Sequence, residues 1–507
     1  MLGHLLAAEQ IETVILERLP EPVTEPRAIA IDAESLRTLQ HAGVLQGFRD
    51  EVLPGITAEY VNAAGVRLFT LGEEDRQPFG HPQLNSFDQP ALDAYLAATL
   101  EAKHCVSLFF GHTLEHFEES GDGVSVLATD ADGEAVEIRA DYLVGCDGGR
   151  STIRRQLGIE MKGDSNPLPW LVIDTVDHHL DDAMDCRFFC DTARPGMTLR
   201  KRHGERRWEW MLMPGESPEE LLEDAAIRDL LAPHTDAERV NIYRKRVYNF
   251  HAIVAERWQS GRVLLAGDAA HMTPPFAGQG LNSGLRDVRN LAWKLAGAVR
   301  GDYSGTLLAS YEEERSGHAR ELIDTALALG AQIQPIDPAL AAERDAFFTA
   351  LNSDPAAMAD FRSGLMRPIM ERSLDRGLVL SSEEHALNGR LLIQPRVNTA
   401  RDRDVLLDEC LGPGFSLIGF GCDPLEVVAP QDLTWWRDRG MTCVAVGQRG
   451  QSAREDWLED AYGDLGCWLE AGEAQLLLVR PDRFCFAVFK PSGASDVLRA
   501  ARSRLQA

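Results

Sequence analysis

The 507-residue chain contains no stretch approaching the roughly eighteen consecutive apolar residues of a membrane-crossing helix. Its opening, MLGHLLAAEQIETVILER, has no basic leader region and no small-residue cleavage site, so no secretory signal is expected. C-x-x-C is absent, and the nine cysteines are scattered. Even the closest pair, Cys186 and Cys190, lacks a histidine or second cysteine pair at zinc-ligand spacing, so no metal site is expected. Reduced and mostly buried thiols in a cytoplasmic protein are the corresponding expectation. Basic residues are in deficit: 51 Lys and Arg against 79 Asp and Glu leave a net charge of −28. That balance argues against nucleic acid or anionic membrane as a main partner. The chain does have the 44% apolar and 26% charged residues of an ordinary globular protein, and its length predicts at least two domains.

Periodicity orders the chain. The first 45 residues read as helix, strand, loop and helix, with Leu2, Leu5 and Leu6 on one helical face. The β-rich run Thr13 to Leu16 then ends in Glu17 and Arg18, and a proline-rich loop leads to a helix over 31–43. A second helix spans 89–102, with Leu92, Leu96 and Leu100 in register. Segments 124–128 and 135–139 flank Asp132–Gly133 as a hairpin. The short apolar strands 142–146 and 263–266 end in Asp147–Gly148–Gly149 and Gly267–Asp268. Residues 168 to 215 alternate in the manner of an antiparallel sheet with one face covered. An amphipathic helix follows the second Gly-Asp turn, 303–385 reads as mostly helical, and the strand-rich block from about 386 has the makings of a separate unit.

Three acids share one physical logic. Glu17, Asp147 and Asp268 each stand at the C-terminal edge of an apolar strand, where ligands bind in open α/β sheets. Glu17 is placed to accept hydrogen bonds from a ribose diol. Asp147 and Asp268 sit in glycine-adjacent turns that let backbone approach a cofactor closely. Each alone reads more plainly as an exposed loop carboxylate; the three in this order form the signal.

GRVLLAGDAAHMTPPFAGQGLNSGLRDVRNLAWKL (261–295) resembles the flavin-binding segment of class A FAD-dependent aromatic hydroxylases. YLVGCDGGRSTIRRQLGI (142–159) is similar to their Asp-Gly motif, and PRAIAIDAESLRTLQHAGV (26–44) to their early loop and helix. MLMPGESPEELL, RKRVYNFHA and LLLVRPDRF look most like the 3-(3-hydroxyphenyl)propionate hydroxylases among them. The resemblance implies an α/β, glutathione-reductase-like FAD-binding fold with an inserted antiparallel substrate sheet and a C-terminal thioredoxin-like domain. The corresponding domains are 1–165, with a small substrate-domain insertion near 55–85, then 166–245 for the substrate sheet, 246–385 to complete the FAD domain, and 386–507. It implies further that Glu17, with Arg18 beside it, holds the adenosine ribose, and that Arg27 and Gln89 contact the pyrophosphate and ribityl region. Gly267 and Asp268 would meet the ribityl chain. Pro275, Gly278, Gly280, Leu281 and Asn282 would lie beside the isoalloxazine, and Asp147 would support both FAD and the approaching nicotinamide. Helix capping is the plain alternative for Asn282 and Gln279. His271, next to the Gly-Asp turn, is expected to be a structural neighbour of the flavin.

The implied reaction is hydroxylation of a phenolic aromatic acid ortho to its hydroxyl, using FAD, NADH or NADPH, and O₂ through a flavin C4a-hydroperoxide. A homodimer is the family expectation, and no base that would ionise the phenol is identifiable. The family's opening strand and G-x-G-x-x-G turn would precede Met1. Without them, the neighbouring strands would lose ladder partners and the phosphate cradle would be incomplete. Weak FAD binding is therefore expected of the chain as written, with either a start assigned too far downstream or a degenerate, non-catalytic interaction module behind it. Trp208 and Trp210 form a W-x-W also seen in flavin-dependent halogenases, but Met-Leu-Met-Pro follows where a halogenase carries Ile-Pro. Both indoles are expected to line or buttress the aromatic-substrate pocket, with simple sheet packing as the alternative. The basic island RKRHGERR (200–207) suits either an anionic ligand or, more plainly, a solvated hairpin.

Overall fold

A computed structural model describes residues 1–506 apart from 26, 73–76, 166–167, 177–184, 382–383, 451–456 and 471–474. Its elements begin where local chemistry starts them. Asp32 accepts the Ser35 amide and opens helix Ala33–His41; Asp88 accepts the Ala91 amide and opens Gln89–Glu101, with Pro90 in the first turn. The long helix Gln279–Arg300 closes on Gly301 in the left-handed region. Its buried face, Leu285, Val288, Leu291 and Leu295, packs with Leu5, Leu6, Leu36 and Leu39 in the principal core. Each such leucine contributes roughly 1.5–3 kcal/mol on burial.

Short parallel pairs carry the cofactor side. Strand Thr13–Glu17 pairs with Val106–Phe110, and Leu143–Gly145 with Val263–Leu265. The first pair forms a sheet of its own, so Thr13–Glu17 and Leu143–Gly145 each keep one unpaired edge among the described residues. Both edges border the same cavity. Beyond it stands a seven-stranded sheet that includes Trp170–Val176, Cys186–Cys190, Gly196–Arg200, Glu205–Met211 and Asn241–Tyr248, extended by Ala58–Asn62 and Arg67–Leu71.

Two expectations for this sheet are corrected. It is mixed, because Cys186–Cys190 runs parallel to Ala58–Asn62. Both of its faces are covered, since every residue from Arg206 to Met211 is buried. The alternation in RRWEWM separates aromatic from charged side chains, and the charged ones are buried because partners wait for them. The basic island is likewise no solvated hairpin. Arg200 pairs with Asp185, Lys201 with Asp88 and Glu205, and Arg207 with Asp174, while Arg202 donates to the Val52 carbonyl.

The C-terminal block is a seven-stranded sheet with parallel Ser416–Phe420, Thr442–Gly447 and Leu458–Asp460 and the antiparallel hairpin Gln475–Val479/Cys485–Phe489. One of its cores is shared: Trp293 and Leu307 of the preceding domain join Leu417, Leu476 and Leu498. Buried ion pairs cross the same boundary, Arg37 with Asp408 and Arg480 with Glu314. No described helix is long and apolar enough to cross a membrane.

Buried carboxylates make this architecture acid-sensitive. Burial alone would raise Glu34, but Arg286 and Arg372 outweigh it and bring it down from 4.5 to about 2. His271 and Arg315 likewise overcome burial at Asp287 and hold it at about 2, below its ordinary 3.8. A depressed folded-state pKa contributes stability that is present above the unfolded value and lost as pH falls toward the folded one. Stability is therefore expected to fall steeply between about pH 4.5 and pH 2. Urea denaturation midpoints measured across that range test this; a flat profile would contradict it.

Candidate functional site

A single cavity of about 2000 Å³ runs from the open strand edges to the seven-stranded sheet. All twelve residues expected at the cofactor, Glu17, Arg18, Arg27, Gln89, Asp147, Gly267, Asp268, Pro275, Gly278, Gly280, Leu281 and Asn282, line it. Residues separated by more than 260 positions in sequence thus share one wall system.

Several of them hold the cavity's shape. The Gln89 side-chain oxygen accepts the backbone amides of Arg27 (2.8 Å) and Ala28 (2.7 Å), so Gln89 clamps the loop that carries Arg27. Asp147 accepts the amides of Thr152 and Ile153 at 2.7 and 3.1 Å, which ties its turn to the start of helix Thr152–Gln156. The Asn282 side chain donates to the carbonyls of Ala30 and Gly278 and accepts from the Asp32 amide. It staples the strand Ala30–Asp32 to the long helix, which is more than a cap. Glu17 accepts the Leu19 amide in its own turn. His271 is fully buried and bonded at 2.8 Å to Asp287, whose carboxylate also accepts the Gly267 amide and pairs with Arg315. It is a structural residue.

Two features fit a flavin dinucleotide. The long helix begins at Gly278 with no side-chain cap, and its first residues, Gln279 to Asn282, border the cavity. Its free amide groups therefore present partial positive charge to whatever lies there. Gly278 has φ +62°, and a Cβ on it would stand 3.0 Å from that of Ala30, so glycine is the residue that lets this turn close. Asp268 accepts no hydrogen bond among the described residues and borders the cavity; burial raises its pKa, against the opposing pull of His271 and Arg27. A carboxylate without donors beside an uncapped helix start suits a polyhydroxylated chain attached to a ring that gains negative charge.

The sheet end of the cavity is largely apolar and aromatic: Tyr60, Trp170, Phe188, Met197, Phe250 and Phe276. Tyr60 stacks on Phe188 with ring centroids 4.5 Å apart. Trp208 and Trp210 are absent from this wall. Strand alternation turns both to the opposite face, where they stack on each other at 5.7 Å and pack with Leu171, Ile173, Ile227 and Leu231 under helix Asp224–Leu231. Lining the pocket is therefore corrected to sheet packing for both. The alternate residues, Arg207 and Glu209, face the cavity in their place. Arg207 bridges Asp174 and the Arg27 carbonyl, joining the sheet to the cofactor loop. Glu209 does not stand out in the sequence, where the W-x-W spacing around it drew attention instead, and Arg207 appears there only as the last member of the basic island. Trp208→Ala is accordingly expected to destabilise the protein by about 3–5 kcal/mol. KM for substrate measured well below the new unfolding midpoint should stay within about threefold; a tenfold rise would restore the lining role.

Fold and site together define an FAD-dependent monooxygenase. Residues 1–326 match the family model described as the FAD binding domain, and 389–504 match the HcaD C-terminal domain. The 3-(3-hydroxy-phenyl)propionate/3-hydroxycinnamic acid hydroxylase 2 of Burkholderia vietnamiensis is 36% identical over 99% of this chain and 94% of its own length. The corresponding hydroxylase of Klebsiella pneumoniae is 35% identical over 100% and 92%. Among solved structures, the flavin-dependent monooxygenase PieE, in complex with FAD and substrate, superposes with a TM-score of 0.82 at 20% identity, over 99% of this chain and 96% of that one. Aklavinone-11 hydroxylase gives 0.79 at 23% identity, over 99% and 96%. These two likenesses establish the fold. The chain belongs to the class A FAD-dependent aromatic hydroxylases, in the family of the 3-(3-hydroxyphenyl)propionate hydroxylases.

Proposed function

We propose that this enzyme hydroxylates a phenolic aromatic acid of the 3-(3-hydroxyphenyl)propionate type, ortho to its hydroxyl. The observation that carries the reading is one cavity joining an uncapped helix start and the Asp268 carboxylate to an aromatic chamber the width of the substrate sheet. Bound FAD supplies electron transfer from NADH or NADPH and the activation of O₂. The chain's own residues do the rest. Glu17 and Arg18 receive the adenosine ribose, Arg27 the pyrophosphate, and Asp268 the ribityl hydroxyls. Amides of Gly280, Leu281 and Asn282 stabilise negative charge on the ring system, with Gly267, Pro275 and Gly278 shaping the backbone around it and Asp147 and Gln89 fixing its turns. Tyr60, Trp170 and Phe188 exclude water from the reacting ring and hold it in place.

The balance is one substrate, one O₂, one NAD(P)H and one proton giving the diol, water and NAD(P)⁺. Incubation with 3-(3-hydroxyphenyl)propionate should therefore consume NAD(P)H and O₂ in equal amounts and form an ortho-diol in the same amount. NAD(P)H oxidation that yields only hydrogen peroxide with every phenolic acid would overturn the reading. The identity of 35–36% to hydroxylases over nearly the whole chain favours this reading over a non-catalytic module.

We infer that the C-terminal unit is thioredoxin-like and structural in role, a reading supported by its parallel strands, its terminal antiparallel hairpin and a sequence without C-x-x-C. The enzyme works in the cytoplasm, where NAD(P)H is available, and as a homodimer. Leu340 and Phe347, both exposed and seven residues apart on helix Pro338–Asn352, offer an apolar surface of the kind a second copy covers.

A further inference from the structure

We propose that Glu209 is the catalytic base of this site, accepting the hydrogen bond and then the proton of the substrate's phenolic hydroxyl. The inference rests on the phenol-hydroxylase reading above and adds the group that ionises the ring. Glu209 lies mid-strand in Glu205–Met211, with Val172 and Met197 as its neighbours on the adjoining strands. Its side chain is 11% exposed, and it borders the cavity. A carboxylate has about four acceptor sites. Among the described residues none of these receives a hydrogen bond, and the nearest cation, Arg207 Nη1, stands 3.7 Å away.

That cation is already engaged. Arg207 directs Nε and Nη2 at Asp174 (2.8 and 3.2 Å) and Nη1 at the Arg27 carbonyl (2.8 Å). Arg244 is drawn to Asp174 as well, and Arg246 pairs with Glu25 nearer the surface and lies over the Tyr248 ring. Arg207 and Arg244 are thus both drawn to Asp174, the buried Arg244 guanidinium keeps Nε and Nη1 without a hydrogen-bond partner among the described residues, and the Glu209 oxygens face the chamber. A buried carboxylate without a donor is costly unless a ligand supplies one. A phenol brings a donor and an aromatic ring matched to Tyr60, Trp170 and Phe188 on the same wall. The far, anionic end of a phenolic acid is repelled by Glu209, so the same residue sets which end of the substrate enters first.

The electrostatics agree with a base. Burial, with the negative Asp174 nearby, raises the Glu209 pKa above its ordinary 4.5, against the opposing pull of Arg207 and Arg244. A raised carboxylate is a better proton acceptor than an ordinary one. In the step, the phenol O–H bond breaks and its proton joins a Glu209 Oε atom. The electron pair stays on the phenolate oxygen, where it enriches the ortho carbon. The proton returns to the product's oxygen as the diol leaves.

The test compares the wild-type holoenzyme with Glu209→Gln and Glu209→Asp, using 3-(3-hydroxyphenyl)propionate as the probe. Flavin absorbance and thermal midpoint first establish that each variant is folded and loaded. Two readouts follow: the pH profile of single-turnover diol formation, and the ratio of diol formed to NAD(P)H consumed. In the wild type, diol formation should fall on the acid side as Glu209 takes up a proton. In Glu209→Gln, the phenol should bind with KM changed less than about tenfold, and that acid limb should be lost. Diol formation should fall about 10²- to 10⁴-fold, the usual contribution of a general base. Glu209→Asp should recover part of the rate together with the acid limb. A Glu209→Gln enzyme that keeps the acid limb, or hydroxylates within threefold of wild type, overturns the assignment and leaves the hydroxylase reading intact. A wild-type enzyme that neither binds nor hydroxylates phenols overturns both.

Discussion

Glu314→Ala is expected to cost about 3–5 kcal/mol of stability, because it strands buried cations. Glu314 is fully buried and accepts from Lys294 (2.7 Å), Asn290 (2.7 Å), Arg480 (2.9 and 2.7 Å) and the Leu378 amide (2.8 Å). Burial presses the Lys294 ammonium from 10.5 down to about 8, and Glu314 opposes that pressure. Without the carboxylate, Lys294 keeps only the Asn290 side-chain oxygen at 2.9 Å, while Arg480 keeps Asp482. Arg480 and Asp482 belong to the C-terminal domain, whereas Lys294 lies on the helix whose first turn borders the cofactor cavity. The loss should therefore loosen the docking of the C-terminal domain before it melts the core. Limited proteolysis is expected to release a fragment ending near residue 385, alongside a lowered denaturation midpoint. An unchanged midpoint would mean that the cluster is neutral and its members replaceable as a set. Glu314→Gln, which keeps the shape and removes the charge, should fall between the two.

Asp268→Ala should weaken FAD binding by about 10- to 100-fold, the loss of one charge-assisted hydrogen bond of about 1.5–3 kcal/mol. The fold should survive, because Asp268 has no hydrogen-bond partner among the described residues and its removal strands no donor. Flavin fluorescence titration of the apoprotein reads the change directly. A variant with FAD affinity within twofold of wild type would move the ribityl contact elsewhere on the cavity wall. Asp287 provides the contrast, since its two oxygens serve the Gly267 amide, His271 and Arg315. Changing it should damage stability and flavin affinity together.

These two acids show where sequence reading reaches and where it stops. Asp268 was legible because it ends an apolar strand in a glycine turn, a local pattern with a known consequence at a sheet edge. Asp147 and Glu17 were legible for the same reason. Glu314 was not, because its partners lie 20 to 166 positions away and meet it only when two helices and a hairpin pack together. Gln89 was placed in the right cavity, but its clamp on Arg27 and Ala28, 62 and 61 positions distant, is a tertiary fact.

The substrate sheet makes the division sharpest. Alternation in RRWEWM establishes that Trp208 and Trp210 share one face and that Arg207 and Glu209 share the other. It does not say which face meets the cavity. Convention favours aromatics at an aromatic-binding site, and the structure chose the charged pair. Helix Asp224–Leu231 covers the tryptophans, while Asp174 and the Arg27 carbonyl hold the arginine.

By itself the sequence determined most helical segments, the acid-bearing strand ends and the flavoenzyme family, though it opened the early helix at 31, where Ala30–Asp32 is a strand and the helix starts at Ala33. Those depend on spacing of a few residues or on motifs carried whole. Only the tertiary structure decided which sheet face became the chamber wall, which charges were neutralised and which carboxylate was left without a donor. Each of those outcomes is set by the docking of surfaces distant in the chain, and a buried charge has no defined cost until its partner is in place.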